Sequence, residues 1–254
     1  RSKWLYRRLE RLVAQRANRV VFLTNSACQS FTQRTGAAGK VSAVYPGADP
    51  DRVSHAPYHK GKVCRLAHFG SLAGSRNLQG FFQALDQVLR NHPGWREQVE
   101  IHLYGHTDRS TRDWLVQSPL AALIHNHGRR PRQEARTAMA QSDVLLLAHN
   151  MDTFSVGTIP FKLYEYLFAF RPIFALIYKN QELRTILQER GHFVAEAGDT
   201  LDIERGIGQI MDYWHDGFRR WQPAATPAFT VEEAVKHLIR TAQEAAGSSQ
   251  QAAH

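Results

Sequence analysis

The sequence predicts an α/β fold: a doubly wound, Rossmann-like parallel sheet with a partial second α/β segment ahead of it. Three observations carry this reading. Apolar runs alternate with helical patterns over most of the 254 residues, as expected of strands joined by crossover helices. Two runs, Asp143 to Ala148 and Pro172 to Ile177, are apolar enough to be buried strands. A stretch at 49–61 with Pro50, Pro57, Gly61 and little hydrophobicity reads as a linker between two alternating series.

In the first series, Val20 to Leu23 is a strand, Asn25-Ser26 opens a helix, and Val41 to Tyr45 is a strand ending in Pro46-Gly47. The second series starts with strand Arg65 to Phe69 and the loop Gly70 to Ser75. Helix 77–91 stops before Pro93, and Val99 to Tyr104 is the next strand. Ala121 to Asn126 is a short strand, followed by helix 131–141 and strand Asp143 to Ala148. A helix from near Pro160 leads to strand Pro172 to Ile177, then helix 181–189 and strand His192 to Ala195. Helices at 201–221 and 230–246 and a polar tail after Gly247 finish the chain. Five or six strands in the second series suffice for one complete doubly wound domain; the first series has only two. The expected division is 1–48 as the end of one domain, 49–61 as linker, 62–229 as the Rossmann-like domain, and 230–254 as helix and tail.

A chain of this length holds one large domain, or one domain and part of another. No apolar run approaches the ~18 residues of a membrane span. The N-terminus lacks a signal-peptide core and does not start with Met, so it reads as cut. Cys28 and Cys64 form no CxxC, and a reducing, cytoplasmic setting is the simpler view. The formal charge of +9 attracts anions, but the basic residues are not interleaved with aromatics in one tract, so no nucleic acid is expected. Only residues 1–16 form a cluster, with Arg1, Lys3, Arg7, Arg8, Arg11 and Arg16 beside an apolar stripe of Trp4, Leu5, Leu9, Leu12 and Val13. An amphipathic helix packed on a neighbour explains it; peripheral contact with an anionic membrane is the second reading.

The segment Gly157-Thr-Ile-Pro-Phe-Lys-Leu-Tyr-Glu-Tyr-Leu-Phe-Ala-Phe-Arg-Pro172 is the most informative. Proline suits a first helical position, and Lys162 and Glu165, three apart, share one helix face. A helix N-terminus offers free N–H groups to a phosphate, a lysine adds charge, and a carboxylate accepts from ribose hydroxyls. A solvated ion pair on an amphipathic helix is the alternative.

This segment resembles the donor-binding signature of the retaining glycosyltransferases of GT-B fold, the group 1 family. The resemblance extends to V-V-F-L-T-N-S and V-Y-P-G-A-D, which match the end of that family's N-terminal domain, and so covers nearly the whole chain. It implies that 62–229 binds a nucleotide sugar and that most of an acceptor-binding domain is missing. On the family's pattern, Lys162 and Arg76 are catalytic through the diphosphate leaving group, Glu165 holds the ribose, and Thr158 lies in the donor-binding segment. Where many relatives carry a first glutamate, this chain has Gly157.

Other stretches are weighed against this one. The loop Phe69-Gly-Ser-Leu-Ala-Gly-Ser-Arg-Asn77 joins a strand to a helix, and its glycines allow close backbone approach. The resemblance puts Gly70 and Ser71 near the diphosphate and sugar; a tight turn with a surface arginine is the alternative. Gly128-Arg-Arg-Pro-Arg132 matches the nucleobase loop, with Arg129 and Arg130 at its contacts, although a solvated basic loop accounts for their side chains equally well. In Met151 to Val156, Asp152 or Ser155 is a candidate for donor hydroxyls. Asp49-Pro-Asp51 has the spacing of a metal-binding carboxylate pair, but it begins the linker, where no nucleotide site is expected. His125 and His127 can share one side of an extended segment, yet no third ligand is evident.

The expectation is thus the donor-binding part of a glycosyltransferase that transfers a sugar from a nucleotide diphosphate to an acceptor, with retention, no cofactor and no obligatory metal. A non-catalytic nucleotide-binding or interaction module and a sugar-nucleotide epimerase of similar fold are the alternatives.

Overall fold

Strands β6 (Val144–Ala148) and β7 (Ile173–Ile177) are buried at every residue. They are apolar throughout because helices cover both faces of the parallel sheet to which they belong. The computed structural model describes residues 2–49, 58–223 and 229–251. The remaining strands of this sheet are β3 (Cys64–Phe69), β4 (Val99–Tyr104), β5 (Ile124–Gly128) and β8 (Phe193–Glu196). All pairs are parallel, in the order β5-β4-β3-β6-β7-β8. The winding therefore runs outward from β3 to β5, returns to the middle and runs outward again. That reversal, between β3 and β6, is a topological switch point.

The chain divides into two units, and this sheet lies in the second, Pro50–Val156 with Lys162–Ala225. Its helices are α3 (Gln79–Asn91), α4 (Arg109–Gln117), α5 (Arg132–Gln141), α6 (Lys162–Leu167), α7 (Gln181–Gln188) and α8 (Thr200–His215). Phe81, Phe82 and Leu85 of α3 pack with Ile203, Ile207 and Trp214 of α8 over Leu66, Ile101 and Leu146. Gly206 of α8 lets that helix close on the sheet, since a Cβ there would stand 2.6 Å from the Phe174 ring. At the start of β6, Asp143 accepts hydrogen bonds from the Tyr58 hydroxyl (2.5 Å) and the Arg65 backbone (2.8 Å). The Arg171 guanidinium donates to the carbonyls of Ala140, Ser142 and Phe170. Tyr58 and Lys60, from the predicted linker, belong to this packing, Lys60 lying over the Trp214 ring at 3.8 Å. The earlier linker positions, including Pro50, Asp51 and Pro57, fall outside the described residues.

The first unit comprises Arg1–Asp49, Gly157–Phe161 and Thr226–His254. It holds α1 (Ser2–Arg16), β1 (Val20–Phe22), α2 (Asn25–Thr35), β2 (Val41–Ala43) and α9 (Val231–Gln251), with β1 and β2 paired in parallel. The side chain of Thr24 caps α2, accepting from Ala27 N at 3.1 Å, and its hydroxyl donates to the Gly157 carbonyl at 2.8 Å. Arg34 makes a two-pronged ion pair with Glu10 of α1 at 2.7 and 2.9 Å. On α1, Trp4, Leu5, Tyr6 and Leu9 are exposed. No helix among the described residues is long and apolar enough to cross a membrane.

Several elements differ from the sequence expectation. The helix read as starting near Pro160 begins at Lys162 and lasts six residues, and Phe170 takes a left-handed φ of 52° that turns the chain before Pro172. Residues 121–123 form a 3-10 turn, so the short strand is shifted to Ile124–Gly128. The helix expected over 201–221 stops at His215, and the polar tail after Gly247 continues α9 through Gln251. Helix α4 had no sequence signature because Leu115 is its one buried residue; Asp108 caps it, accepting from Thr111 N at 2.8 Å.

His192 is 8% exposed, and its Nδ1 accepts from Ile173 N at 3.3 Å. Burial pushes its pKa down to about 3. The unfolded chain therefore takes up a proton first, near the ordinary imidazole value of about 6.5. Stability contributed by the neutral ring is present above that value and lost as pH falls toward the folded pKa. Lowering pH from 7 to 5 is expected to cost about 2 kcal/mol through this group. Urea denaturation of His192→Gln should show an acid-induced loss smaller by that amount than in the parent chain.

Candidate functional site

At the switch point the loop after β3 meets the loop after β6. Gly70 leaves β3 with its N–H bonded to the Tyr104 carbonyl at 2.8 Å, and Leu72 N continues the pairing to His106 O at 2.8 Å. Gly105 makes this crossing possible: its φ is 131°, and a Cβ would lie 2.1 Å from the Gly70 oxygen. The loop then folds on itself through reciprocal bonds between Ala73 and Arg76 of 2.9 and 3.1 Å. Two side-chain bonds fasten it to the opposite loop. Arg76 Nε donates to Asn150 Oδ1 at 2.8 Å, and the Ser75 hydroxyl donates to Asp152 Oδ2 at 2.9 Å. The Nη groups of Arg76 make no hydrogen bond among the described residues, so its fork stays available to an anion.

Asp152 and Ser155, the candidates for donor hydroxyls, are engaged within their own loop. Asp152 Oδ1 accepts from Phe154 N, Ser155 N and the Ser155 hydroxyl at 3.0, 3.0 and 2.9 Å. The Ser155 and Ser75 hydrogen bonds hold the Asp152 carboxyl below its usual range.

Lys162 and Glu165 face each other across the first turn of α6, with Nζ donating to Oε2 at 2.5 Å. A cation from another helix approaches the second oxygen, Arg132 Nη2 at 3.8 Å. The next residue, Tyr166, is fully buried, and its hydroxyl accepts from Phe69 N at 2.8 Å. This bond attaches α6 to the end of β3 and so fixes where Glu165 stands.

A residue with no sequence signal lies under Gly70. His68 is 3% exposed; its Nδ1 is 2.9 Å from the Leu146 carbonyl, so Nδ1 carries the proton. Its Nε2 has no hydrogen-bond partner among the described residues and stands 3.3 Å from where a Gly70 Cβ would be. Burial first, and then the nearby charges of Arg76 and Lys162, push its pKa down to about 4. Those two cations, far apart in sequence, both oppose protonation of this one ring. Only the tertiary fold could reveal that acceptor.

The other predicted positions are more dispersed. Ser71 is exposed on the β3 loop. Gly128, with φ 63°, turns the chain at the end of β5, and its carbonyl accepts from Gly105 N at 2.8 Å. Arg129 and Arg130 follow it, both exposed and without a hydrogen bond or ion pair to described residues. Beside them, Tyr104 stacks between Phe69 (4.5 Å) and His127 (4.3 Å). Thr158 belongs to the Gly157–Phe161 segment of the first unit. A side chain at Gly157 would meet Ser26 Cβ at an ordinary 3.6 Å, so packing within that unit does not demand glycine there.

The strand order with its central switch point is a doubly wound, Rossmann-like arrangement, and the fold is the GT-B fold of the solved structures similar to this chain. Solved structures similar to this chain include the HepE protein of Anabaena in complex with UDP, with 16% identity over 92% of this chain and 65% of that one, at a TM-score of 0.72. A glycosyltransferase from Rickettsia africae is 10% identical over 94% of this chain and 66% of its own, with a TM-score of 0.72. The trehalose 6-phosphate synthase of Burkholderia multivorans is 15% identical over 90% of this chain and 60% of its own, with a TM-score of 0.66. This chain thus spans just under two thirds of the length of those proteins. No protein-family profile and no curated protein matches it.

Gly105→Ala is expected to cost about 3 kcal/mol or more, because a strained φ and a clash with the Gly70 carbonyl coincide. Gly128→Ala, whose Cβ would meet open space, should cost only about 1–2 kcal/mol. Denaturant titration of the two variants measures the difference.

Proposed function

We propose that the second unit binds the nucleoside diphosphate of a sugar donor, and that the whole protein to which this chain belongs is a retaining glycosyltransferase. The single observation that carries the reading is Arg76, which ties the loop after β3 to Asn150 after β6 at the switch point, where α/β sheets bind ligands, and keeps its Nη groups open to an anion. Arg76 and Lys162 would neutralise the diphosphate as it leaves, without an obligatory metal. The backbone at Gly70 and Ser71 would approach the phosphates and the sugar, while Glu165 would accept from the ribose hydroxyls. Residues Arg129 and Arg130 would border the base. HepE was solved with UDP, which makes uridine diphosphate the first ligand to try.

In the free structure Lys162 is held by Glu165, so ligand entry has to divide that pair, the lysine turning to phosphate and the carboxylate to ribose. A non-catalytic nucleotide-binding role is the second reading, favoured by Gly157 at the place of a family glutamate although nothing in its own unit requires glycine. The acceptor would be held mostly by chain beyond these residues. Trp4, Leu5 and Leu9, exposed beside Arg7, Arg8 and Arg11, support peripheral contact of α1 with an anionic membrane.

Calorimetry with UDP and with uridine tests the donor site. Arg76→Ala should weaken UDP binding about 10-fold or more and leave uridine unchanged, as a charged hydrogen bond is worth ~1.5–3 kcal/mol. Glu165→Gln should weaken uridine by a similar factor and UDP by less, since the substitution frees Lys162 for the phosphates. Unchanged affinities in both folded variants would remove the donor-site assignment. If UDP binds as expected but the full-length protein transfers no sugar, the second reading holds.

Vesicle co-sedimentation tests α1: binding to anionic vesicles should fall as salt rises, because exposed charges are screened within ~10 Å at 0.1 M. Failure to bind at low salt would leave α1 a packing role only.

A further inference from the structure

Glu100 and His102 of β4 and His125 and His127 of β5 form a cluster on neighbouring strands, next to the Gly128 turn. The sequence supplied only the two β5 histidines. Parallel pairing of His102 with His125, and a register shift beyond Leu103, bring both rings against His102, with centroids at 4.8 and 5.2 Å. The third ligand that the sequence lacked is thus on the neighbouring strand, and a carboxylate accompanies it. His102 has both nitrogens engaged: Nε2 lies 3.1 Å from Glu100 Oε2, and Nδ1 lies 2.9 Å from His127 Nε2.

We propose that Glu100, His102 and His125 form a binding site for a divalent cation of the zinc class, with His127 as the supporting partner of His102. One ligand atom from each of the three residues already lies within 4.8 Å of the others. A tetrahedral cation with bonds of about 2.0–2.2 Å holds its ligand atoms about 3.3 Å apart, close to the Glu100–His102 separation. His125 is exposed and has the freedom to close the rest of the distance by rotation. Without metal, His102 Nε2–H donates to the carboxylate and His127 donates to Nδ1. With metal, the His102 proton moves to Nδ1 and is donated to His127 Nε2, so His102 Nε2 and Glu100 both turn lone pairs to the cation. His127 then fixes the tautomer, as the outer partner of a metal-bound imidazole ordinarily does. Arg65, 3.6 Å from Glu100 and half exposed, has to swing into solvent. Two imidazoles and one carboxylate suit zinc, nickel or copper better than magnesium or calcium, which prefer oxygen. The bound cation would pin β4 to β5 just before the Gly128 turn.

Zn²⁺ titrated calorimetrically into the chelator-treated 254-residue chain tests the proposal. One equivalent should bind more tightly than the others. His102→Ala, His125→Ala and Glu100→Gln should each weaken it at least ~10-fold, and His127→Ala about 10-fold, the usual loss for a supporting partner. His237→Ala, on α9, is the control and should change nothing; Mg²⁺ should not compete. Should His102→Ala fail to fold, exposed His125→Ala decides alone. The proposal is overturned if no tight equivalent binds, if the cluster variants bind as the parent does, or if His237→Ala abolishes binding.

Discussion

The pairing of β3 with β6, Leu66 opposite Val144 and Ala67 opposite Leu145, is the constraint on which the rest of the second unit depends. These strands are distant in the chain, and their junction is where the direction of winding reverses. Loops leaving neighbouring strands on either side of such a junction diverge, so the sheet itself opens a crevice there. The loops are then fixed by Arg76 on Asn150 and by Ser75 on Asp152. Gly105 allows the first loop to pass close over the second strand, where any side chain would collide with the Gly70 carbonyl.

Electrostatics then decides what such a crevice is ready to receive. Arg76 keeps its terminal amino groups available, while Lys162 is neutralised by Glu165, which also faces Arg132. An anion entering this place meets one ready cation and a second that must exchange partners. Half-buried Glu165 keeps Arg132 at 3.8 Å when Lys162 leaves it, so that exchange does not strand an unpaired carboxylate. His68 adds a buried acceptor among these positive groups, where protonation is opposed both by burial and by its neighbours. Tyr166, anchoring α6 to β3, keeps the helix carrying Lys162 and Glu165 in step with the loop carrying Arg76.

Local chemistry was legible where a single element carries it. The apolar runs that became β6 and β7 read as buried strands because covered parallel strands have no polar face. Lys162 and Glu165 read as one pair because three residues place side chains on one helix face. Helix α4 was silent, since a helix lying on the surface with one buried residue has no apolar period. The extent of α6 was misjudged because Pro160 permits a helix start without requiring one, and the turn at Phe170 depends on its surroundings.

The sequence by itself determined the alternation of strands and helices, the parallel sheet and the residue types at its loops, because these follow from periodicity and short-range sterics. Tertiary structure alone decided which distant side chains meet. Arg132 reaches Glu165 from another helix, His68 takes its charge environment from Arg76 and Lys162, and Glu100 and His102 join His125 across two strands. Those meetings depend on strand order and on the register in which the strands pair. Both are set by how whole elements pack, and no local stretch of sequence contains that information.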